Sequence, residues 1–259
     1  MSRIMFGLTR TPLFYSILIM FSKKAEQLSA TDLESISKTD EPPVSWLGIE
    51  RLRSACLGMV LLDIETLFPM EGQMFTPREL GKSLRMGPRR QKSYFAARIA
   101  LKKLSRQLNL VEEDRPDRTI ETLGPDNSSP CLAESELYCS VSHSPRFVVA
   151  VAHRHPVGVD IEAVSQKIVR IQHLFLSPVE QQLISQSGLD FKQTATRVWT
   201  AKEAGAKALG LHLFQAIREI EVVKIRKEAS ILRYQGKKYP VGHGEGNRQV
   251  ISLITCDDS

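Results

Sequence analysis

Two stretches of the chain, Thr76-Pro77-Arg78-Glu79 and Ser177-Pro178-Val179-Glu180, carry the same helix-start signature 101 positions apart. In each, a hydroxyl can cap the helix, proline fills the first helical position, and a glutamate three residues on can bond back to the cap. A second pair follows in the same order. Phe95-Ala96-Ala97-Arg98-Ile99-Ala100-Leu101-Lys102-Lys103 resembles Trp199-Thr200-Ala201-Lys202-Glu203-Ala204-Gly205-Ala206-Lys207 at an offset of 104. A third pair, Asp63-Ile64-Glu65 and Asp160-Ile161-Glu162, ends two strand-like apolar runs 97 positions apart. Similar features in one order at nearly constant offset predict two related halves. The expected fold is therefore α+β: two pseudo-twofold-related α/β halves, each a small mixed sheet packed with helices. The divisions are residues 46–150, residues 151–259, and an N-terminal extension and linker over residues 1–45.

The extension contains an apolar run, Pro12 to Phe21, followed at once by Lys23 and Lys24. Ten residues are too few to span a bilayer, and no small-residue cleavage site follows, so a packing arm or an upstream start codon is favoured over a signal peptide. Ser29 to Val44 is polar, acidic and proline-ended, which reads as a linker. In the second half, strands are expected at 137–141, 146–152, 157–162, 219–225, 231–234 and 248–255, the first two joined by a Ser142-His143-Ser144-Pro145 turn. Helices are expected at 168–176, 178–187 and 191–209, the last ended by Gly210 as a left-handed cap.

Composition narrows the chemistry only slightly. Lys and Arg number 35 against 29 Asp and Glu, a net charge of +6 that suits a phosphate-bearing ligand, an acidic partner or nucleic acid. The four cysteines are scattered without a CxxC pair, which argues against zinc or a disulfide framework and for reduced thiols in the cytoplasm.

The segment Val157 to Val164, VGVDIEAV, is more informative. Side chains alternate along a strand, so Asp160 and Glu162 share one face. Two half-buried carboxylates that approach to ~4 Å repel by about 4 kcal/mol at an effective dielectric near 20, which calls for a cation between them. The long helix supplies more charge, because Glu203 and Lys207 stand one turn apart on one face. An isolated pair of this kind is ordinarily a solvated ion pair worth a few tenths of a kcal/mol. Three carboxylates with a lysine at hand suit an oxygen-liganded Mg²⁺ that holds a pyrophosphate.

GVDIE about forty residues before WTAKEAGAK, with the Ser142-His143-Ser144 turn upstream, resembles the 4'-phosphopantetheinyl transferases, specifically the larger monomeric surfactin-synthetase-activating type. The resemblance covers roughly residues 85–210. It implies that Asp160, Glu162 and Glu203 ligate Mg²⁺, which grips the pyrophosphate of coenzyme A, and that Lys207, Ser142 and His143 contact the phosphates. It implies further that the basic segment around Arg85, Arg89, Arg90, Lys92 and Arg98 holds the 3'-phosphate end. Glu203, Lys207 and His143 become the expected catalytic residues, with Glu203 or a metal-ordered water as base. Where the family has a Gly-Lys-Pro adenine-contacting segment, this chain has Ser128-Ser129-Pro130.

The implied reaction moves the phosphopantetheine arm of coenzyme A onto a serine of an apo acyl or peptidyl carrier protein and releases 3',5'-ADP. The implied enzyme is a cytoplasmic monomer with no nucleic acid or membrane partner. The rival readings are a Mg²⁺-dependent phosphohydrolase and a non-catalytic module that binds coenzyme A or nucleic acid. The first half keeps Asp63 and Glu65 but aligns Ile99 with Glu203, so a single metal site per chain is expected.

Overall fold

The computed structural model describes residues 46–67, 72–126 and 129–256. The expectations for Pro12–Phe21, the Ser29–Val44 linker and Ser128 lie outside these residues. The described residues fall within one compact unit, Pro42–Ser259.

The first half opens with a short helix, α1 (Ile49–Ser54), and strand β1 (Gly58–Asp63). Helices α2 (Pro77–Ser83) and α3 (Pro88–Gln107) follow, and the chain returns through β2 (Tyr138–His143) and β3 (Phe147–His153). The second half repeats this plan with more elements. Strand β4 (Val157–Ala163) leads to α4 (Gln166–Ile171), α5 (Pro178–Gln186), α6 (Phe191–Leu209) and α7 (Leu213–Glu219). A meander closes it: β5 (Glu221–Ile225), β6 (Ala229–Tyr234), β7 (Lys237–Gly246) and β8 (Gln249–Thr255). The strand orders are β1-β3-β2 and β4-β8-β7-β6-β5. The paired strands run antiparallel in both sheets, where mixed sheets were expected. In each half the last strand comes back to lie beside the first, a closure that antiparallel meanders achieve with short turns.

Both predicted capping boxes form. Thr76 and Ser177 accept from the backbone of Glu79 and Glu180, whose carboxylates accept from the cap N–H in return. Each glutamate then does a second job. Glu79 Oε2 lies 2.8 Å from Lys102 Nζ on α3, and Glu180 Oε2 lies 2.9 Å from Lys202 Nζ on α6. All four side chains are buried, and each ammonium also donates to backbone carbonyls, Met74 and Asp117 in one half and Phe175 in the other. Such satisfaction is what makes a buried ion pair tolerable, since an unpaired member would cost several kcal/mol.

Helix α6 keeps its predicted bounds and ends at Gly210, φ +65°. The helix expected at 168–176 is shorter, because α4 stops at Ile171 and tightens into a single turn over Gln172–Leu174. Strand β3, Phe-Val-Val-Ala-Val-Ala-His, is buried over all but its last residue, as befits the middle of its sheet. Its face packs Val148, Ala150 and Ala152 against Ala96, Ala97, Ala100, Leu101 and Leu104 of α3.

Candidate active site

Strand β4 is an edge strand, paired on one side with β8. Its other side meets serine hydroxyls rather than a backbone. Ser140 Oγ of β2 accepts from Val159 N at 3.1 Å, and Ser142 Oγ accepts from Ile161 N at 3.4 Å. The two sheets therefore join at β2 and β4 through side chains, which leaves Asp160 facing the junction. Asp160 is 2 % exposed. Its Oδ1 accepts from Ser142 Oγ at 2.6 Å and from Lys207 Nζ at 2.9 Å, and the same ammonium donates to Val159 O at 2.8 Å.

Helix α6 reaches this strand because Gly158 leaves room for it. A Cβ on Gly158 would fall 1.9 Å from Ala204 O, so helix and strand touch backbone to backbone one residue from Glu203. The Glu203 carboxyl is pushed up to about 8, by burial first and then by the adjacent Asp160. Burial and then Asp160 likewise raise the Glu162 carboxyl above its ordinary value. His143, at the exposed end of β2, is held below the usual imidazole value by desolvation and then by Lys207. The structure thus brings together Ser142, His143, Asp160, Glu162, Glu203 and Lys207, contributed by β2, β4 and α6.

Among the described residues, no three His, Cys, Asp or Glu side chains stand as a ready coordination sphere. The donor set nevertheless fits a hard divalent cation. Asp160 Oδ2 is buried and has no hydrogen-bond partner among the described residues, and its carboxylate raises the proton affinity of Glu162 and Glu203, with Glu162 adding to the latter. A buried acceptor-only oxygen beside two more acids is a place where a cation relieves both desolvation and repulsion.

The candidate arginines lie in α3 and just before it. Arg85, Arg89 and Arg90 are exposed at and before the start of α3. Arg98 is buried instead, donating from Nη1 to Thr122 O at 2.7 Å and Thr122 Oγ1 at 3.2 Å, with its guanidinium 5.2 Å from the centre of the Tyr94 ring. Two basic residues of α2 that the sequence reading passed over belong here. Arg78 donates to Gly124 O at 3.0 Å, and the Lys82 ammonium is depressed by desolvation and by Arg98 and Arg90, with Asp126 opposing. Their i, i+4 spacing, which starts within the capping box, was the available signal. The Ser129-Pro130 segment folds against the same place, Ser129 bonding Asp126 and Gly124, and Pro130 bridging to Leu123.

The structure also corrects the register between the halves. A Cβ on Gly58 would meet Leu104 of α3 and Leu108 just past its end, as one on Gly158 meets Ala204 and Ala208 of α6. Lys102 pairs with Glu79 as Lys202 pairs with Glu180. These equivalences fix an offset of 100 to 101, so Asp160, Glu162 and Glu203 correspond to Val60, Leu62 and Lys103. The match of Asp63-Ile64-Glu65 with Asp160-Ile161-Glu162 is three residues out of register, and Ile99 is one helical turn short of the position of Glu203. A four-residue slip keeps the same helix face, which is why the sequence pattern concealed it. Asp63 pairs with Arg146 and Glu65 with Lys92, each at 2.8 Å.

Among known proteins, residues 156–252 match the family model of the 4'-phosphopantetheinyl transferase superfamily. The chain is 26% identical over 125 residues to enterobactin synthase component D of Escherichia coli O157:H7, covering 48% of this chain and 61% of that one. It is 32% identical over 112 residues to 4'-phosphopantetheinyl transferase gsp of Aneurinibacillus migulanus, covering 42% of this chain and 46% of that one. The chain thus spans less than two thirds of the length of these relatives. The segment that carries Asp160, Glu162, Glu203 and Lys207 lies within the residues that match this family model.

Proposed function

We propose that the protein transfers the phosphopantetheine arm of coenzyme A to a serine hydroxyl of an apo acyl or peptidyl carrier protein, with release of 3',5'-ADP. The observation that carries this reading is the buried Asp160 carboxylate. One of its oxygens is held by Ser142 and Lys207, and the other lacks a donor beside Glu162 and Glu203. In this reading Asp160, Glu162 and Glu203 hold Mg²⁺, which when bound offsets charge that builds on the pyrophosphate as the bond breaks.

The chain's own side chains do the rest. Lys207 brings a fixed positive charge to the phosphates, and His143, kept neutral near pH 7, offers a ring N–H beside Ser142. Glu203 takes the serine proton as the hydroxyl oxygen attacks the phosphorus next to the pantetheine arm and the bond to 3',5'-ADP breaks. The first half, residues 46–150, is the nucleotide side, where Arg78 bonds Gly124 O and Lys82 lies within the field of Arg98, Asp126 and Arg90. Residues 151–259 form the metal and catalytic side.

The setting is a reducing cytoplasm and the chain acts as a monomer. None of the four cysteines is in a disulfide, and among the described residues no helix is long and apolar enough to cross a membrane.

The test incubates the protein with coenzyme A, Mg²⁺ and an apo carrier protein and weighs the carrier. A gain equal to one phosphopantetheine supports the transferase. Hydrolysis of coenzyme A with an unmodified carrier favours the phosphohydrolase, and binding with no turnover favours the non-catalytic module.

A further inference from the structure

We infer that Trp46 is a positioning residue that fixes the Ser142-His143 end of β2 in the first half against the helix that carries Glu203 and Lys207 in the second; the inference rests on the transferase reading for its kinetic consequences. Residues 46–57 are shared between the halves. Leu47 exchanges two backbone hydrogen bonds with Glu245, 2.7 and 2.9 Å, along the stretch of β7 beyond the reach of β6. Leu57 then donates to Ala152 O at 2.9 Å as the chain enters β1 of the other sheet.

Strand β7 is made bare to receive this strap. Gly242, Gly244 and Gly246 alternate on one face. A Cβ on the first two would fall 2.6 and 3.0 Å from Leu52, and one on Gly246 would fall 2.8 Å from Trp46 Cδ2. Gly48 also presses close, at φ +75° and with any Cβ 2.6 Å from His243 O.

Trp46 is the point where the strap touches both halves. Beneath it lies Gly246. Against its face stands Phe147, with ring centroids 5.3 Å apart and planes at 87°, the edge-to-face arrangement that aromatic quadrupoles favour. Phe147 closes the turn that follows His143: Ser144 N donates to Phe147 O at 2.8 Å, and Phe147 N donates to Ser144 Oγ at 3.2 Å. Next to Gly246, Glu245 is ion-paired to the buried Arg197 of α6 and accepts from Gln193 of the same helix at 2.6 Å. One indole is therefore packed between the anchor of Ser142-His143 and the residue adjoining the anchor of the helix that bears Glu203.

Coenzyme A touches both sides of that joint in the transferase reading, through Ser142 and His143 on one and Lys207 on the other. Slippage at Trp46 should weaken its productive binding, and misplacement of about 1 Å can cost on the order of 100-fold.

The experiment compares Trp46→Ala, Trp46→Phe, Gly246→Ala and the Trp46→Ala/Gly246→Ala double variant well below their melting temperatures. Expected are a roughly tenfold rise in KM for coenzyme A with KM for the carrier unchanged in Trp46→Ala and near-complete rescue in Trp46→Phe. Gly246→Ala should show the same KM rise because its new Cβ dislodges the ring, and the double variant should show no further loss. A second readout, independent of turnover, is hydrogen exchange at the Ser144 and Phe147 amides, which should quicken about tenfold in Trp46→Ala and Gly246→Ala. If the wild type transfers nothing, the functional reading falls and exchange alone decides the strap. Unchanged exchange at these amides overturns the inference whatever the kinetics, and so does a Trp46→Phe variant as impaired as Trp46→Ala. Should Trp46→Ala fail to fold, Gly246→Ala and Trp46→Phe carry the same test.

Discussion

Asp160 and Glu203 show how one position is shaped by what lies around it rather than by its own chemistry. Glu203 is a helix residue with Lys207 one turn on, and along an isolated helix that pair would do little. Buried beside Asp160, its carboxyl is pushed up to about 8. In the transferase reading, replacement by glutamine removes a ligand charge and the proton acceptor together. Glu203→Gln should therefore lower transfer by at least about 100-fold, the lower end of what a positioned acid or base contributes, while circular dichroism stays unchanged; full activity at saturating Mg²⁺ would contradict the assignment. His243 is a second buried polar residue, with a different consequence. Its ring nitrogens lie 2.9 Å from Ser252 Oγ and 2.8 Å from Ser230 Oγ, and burial, with Arg197 adding, lowers its pKa to about 3. The folded state keeps this imidazole neutral, so nothing is lost above its unfolded value near 6.5. As pH falls from there toward 3, the unfolded chain takes up the proton first, and stability declines by up to about 1.4 kcal/mol per pH unit. Denaturant titrations between pH 7 and 4 should show that extra slope in the wild type and its absence in His243→Gln. The Asp160 and Glu162 pattern was legible in the sequence because strand alternation is local. The surroundings of Arg78 and Lys82 were not, because they come from α3 and from residues 123–126.

Helix α6 and strand β4 make contact through absences of side chain. Gly158 on the strand and Ala204 and Ala208 on the helix let the two backbones approach until Lys207 reaches Asp160 and Val159 O. A single methyl at Gly158 would have to push the helix away, because the obstructing atoms are backbone and cannot turn aside. Overpacking of this kind costs about 1–3 kcal/mol or more. Gly158→Ala should accordingly lower the unfolding midpoint and depress transfer beyond what the stability loss explains, read as a fall in kcat at a temperature where the variant is fully folded. The α6 span itself was legible to the residue, since Asp190 caps one end, where its side chain accepts from Gln193 N, and Gly210 turns left-handed at the other. Helix α4 was read too long because the apolar period runs on through Leu174 and Phe175, although the backbone tightens after Ile171. The expectation of mixed sheets failed for a related reason: strand direction is set by which partner the returning strand meets, and no run of residues encodes that locally.

At the scale of the whole chain, the transferase reading has one half holding a metal and the other not. The positions equivalent to Asp160, Glu162 and Glu203 are Val60, Leu62 and Lys103, two apolar groups and an ammonium, none of them a ligand for Mg²⁺. Asp63 and Glu65 serve surface ion pairs with Arg146 and Lys92 instead. Asp63→Asn with Glu65→Gln should retain most of the Mg²⁺-dependent transfer, whereas Asp160→Asn with Glu162→Gln should lose nearly all of it. Titration calorimetry with coenzyme A present should count one Mg²⁺ per chain, and two equivalent sites would sink the proposal. The existence of two halves, both capping boxes, the α6 span and the acid pair on β4 were determined by the sequence alone, because each rests on spacing within a few residues or on repetition of such spacing. Only the tertiary structure decided how the halves align, since a slip of one helical turn keeps every residue on its face and is resolved only by the buried Glu79–Lys102 and Glu180–Lys202 pairs. It alone also decided that Arg98 turns inward to Thr122 and that Ser142 meets Asp160. Those contacts join residues that local periodicity cannot relate, and they form where packing brings β2 against β4 and α3 against Thr122.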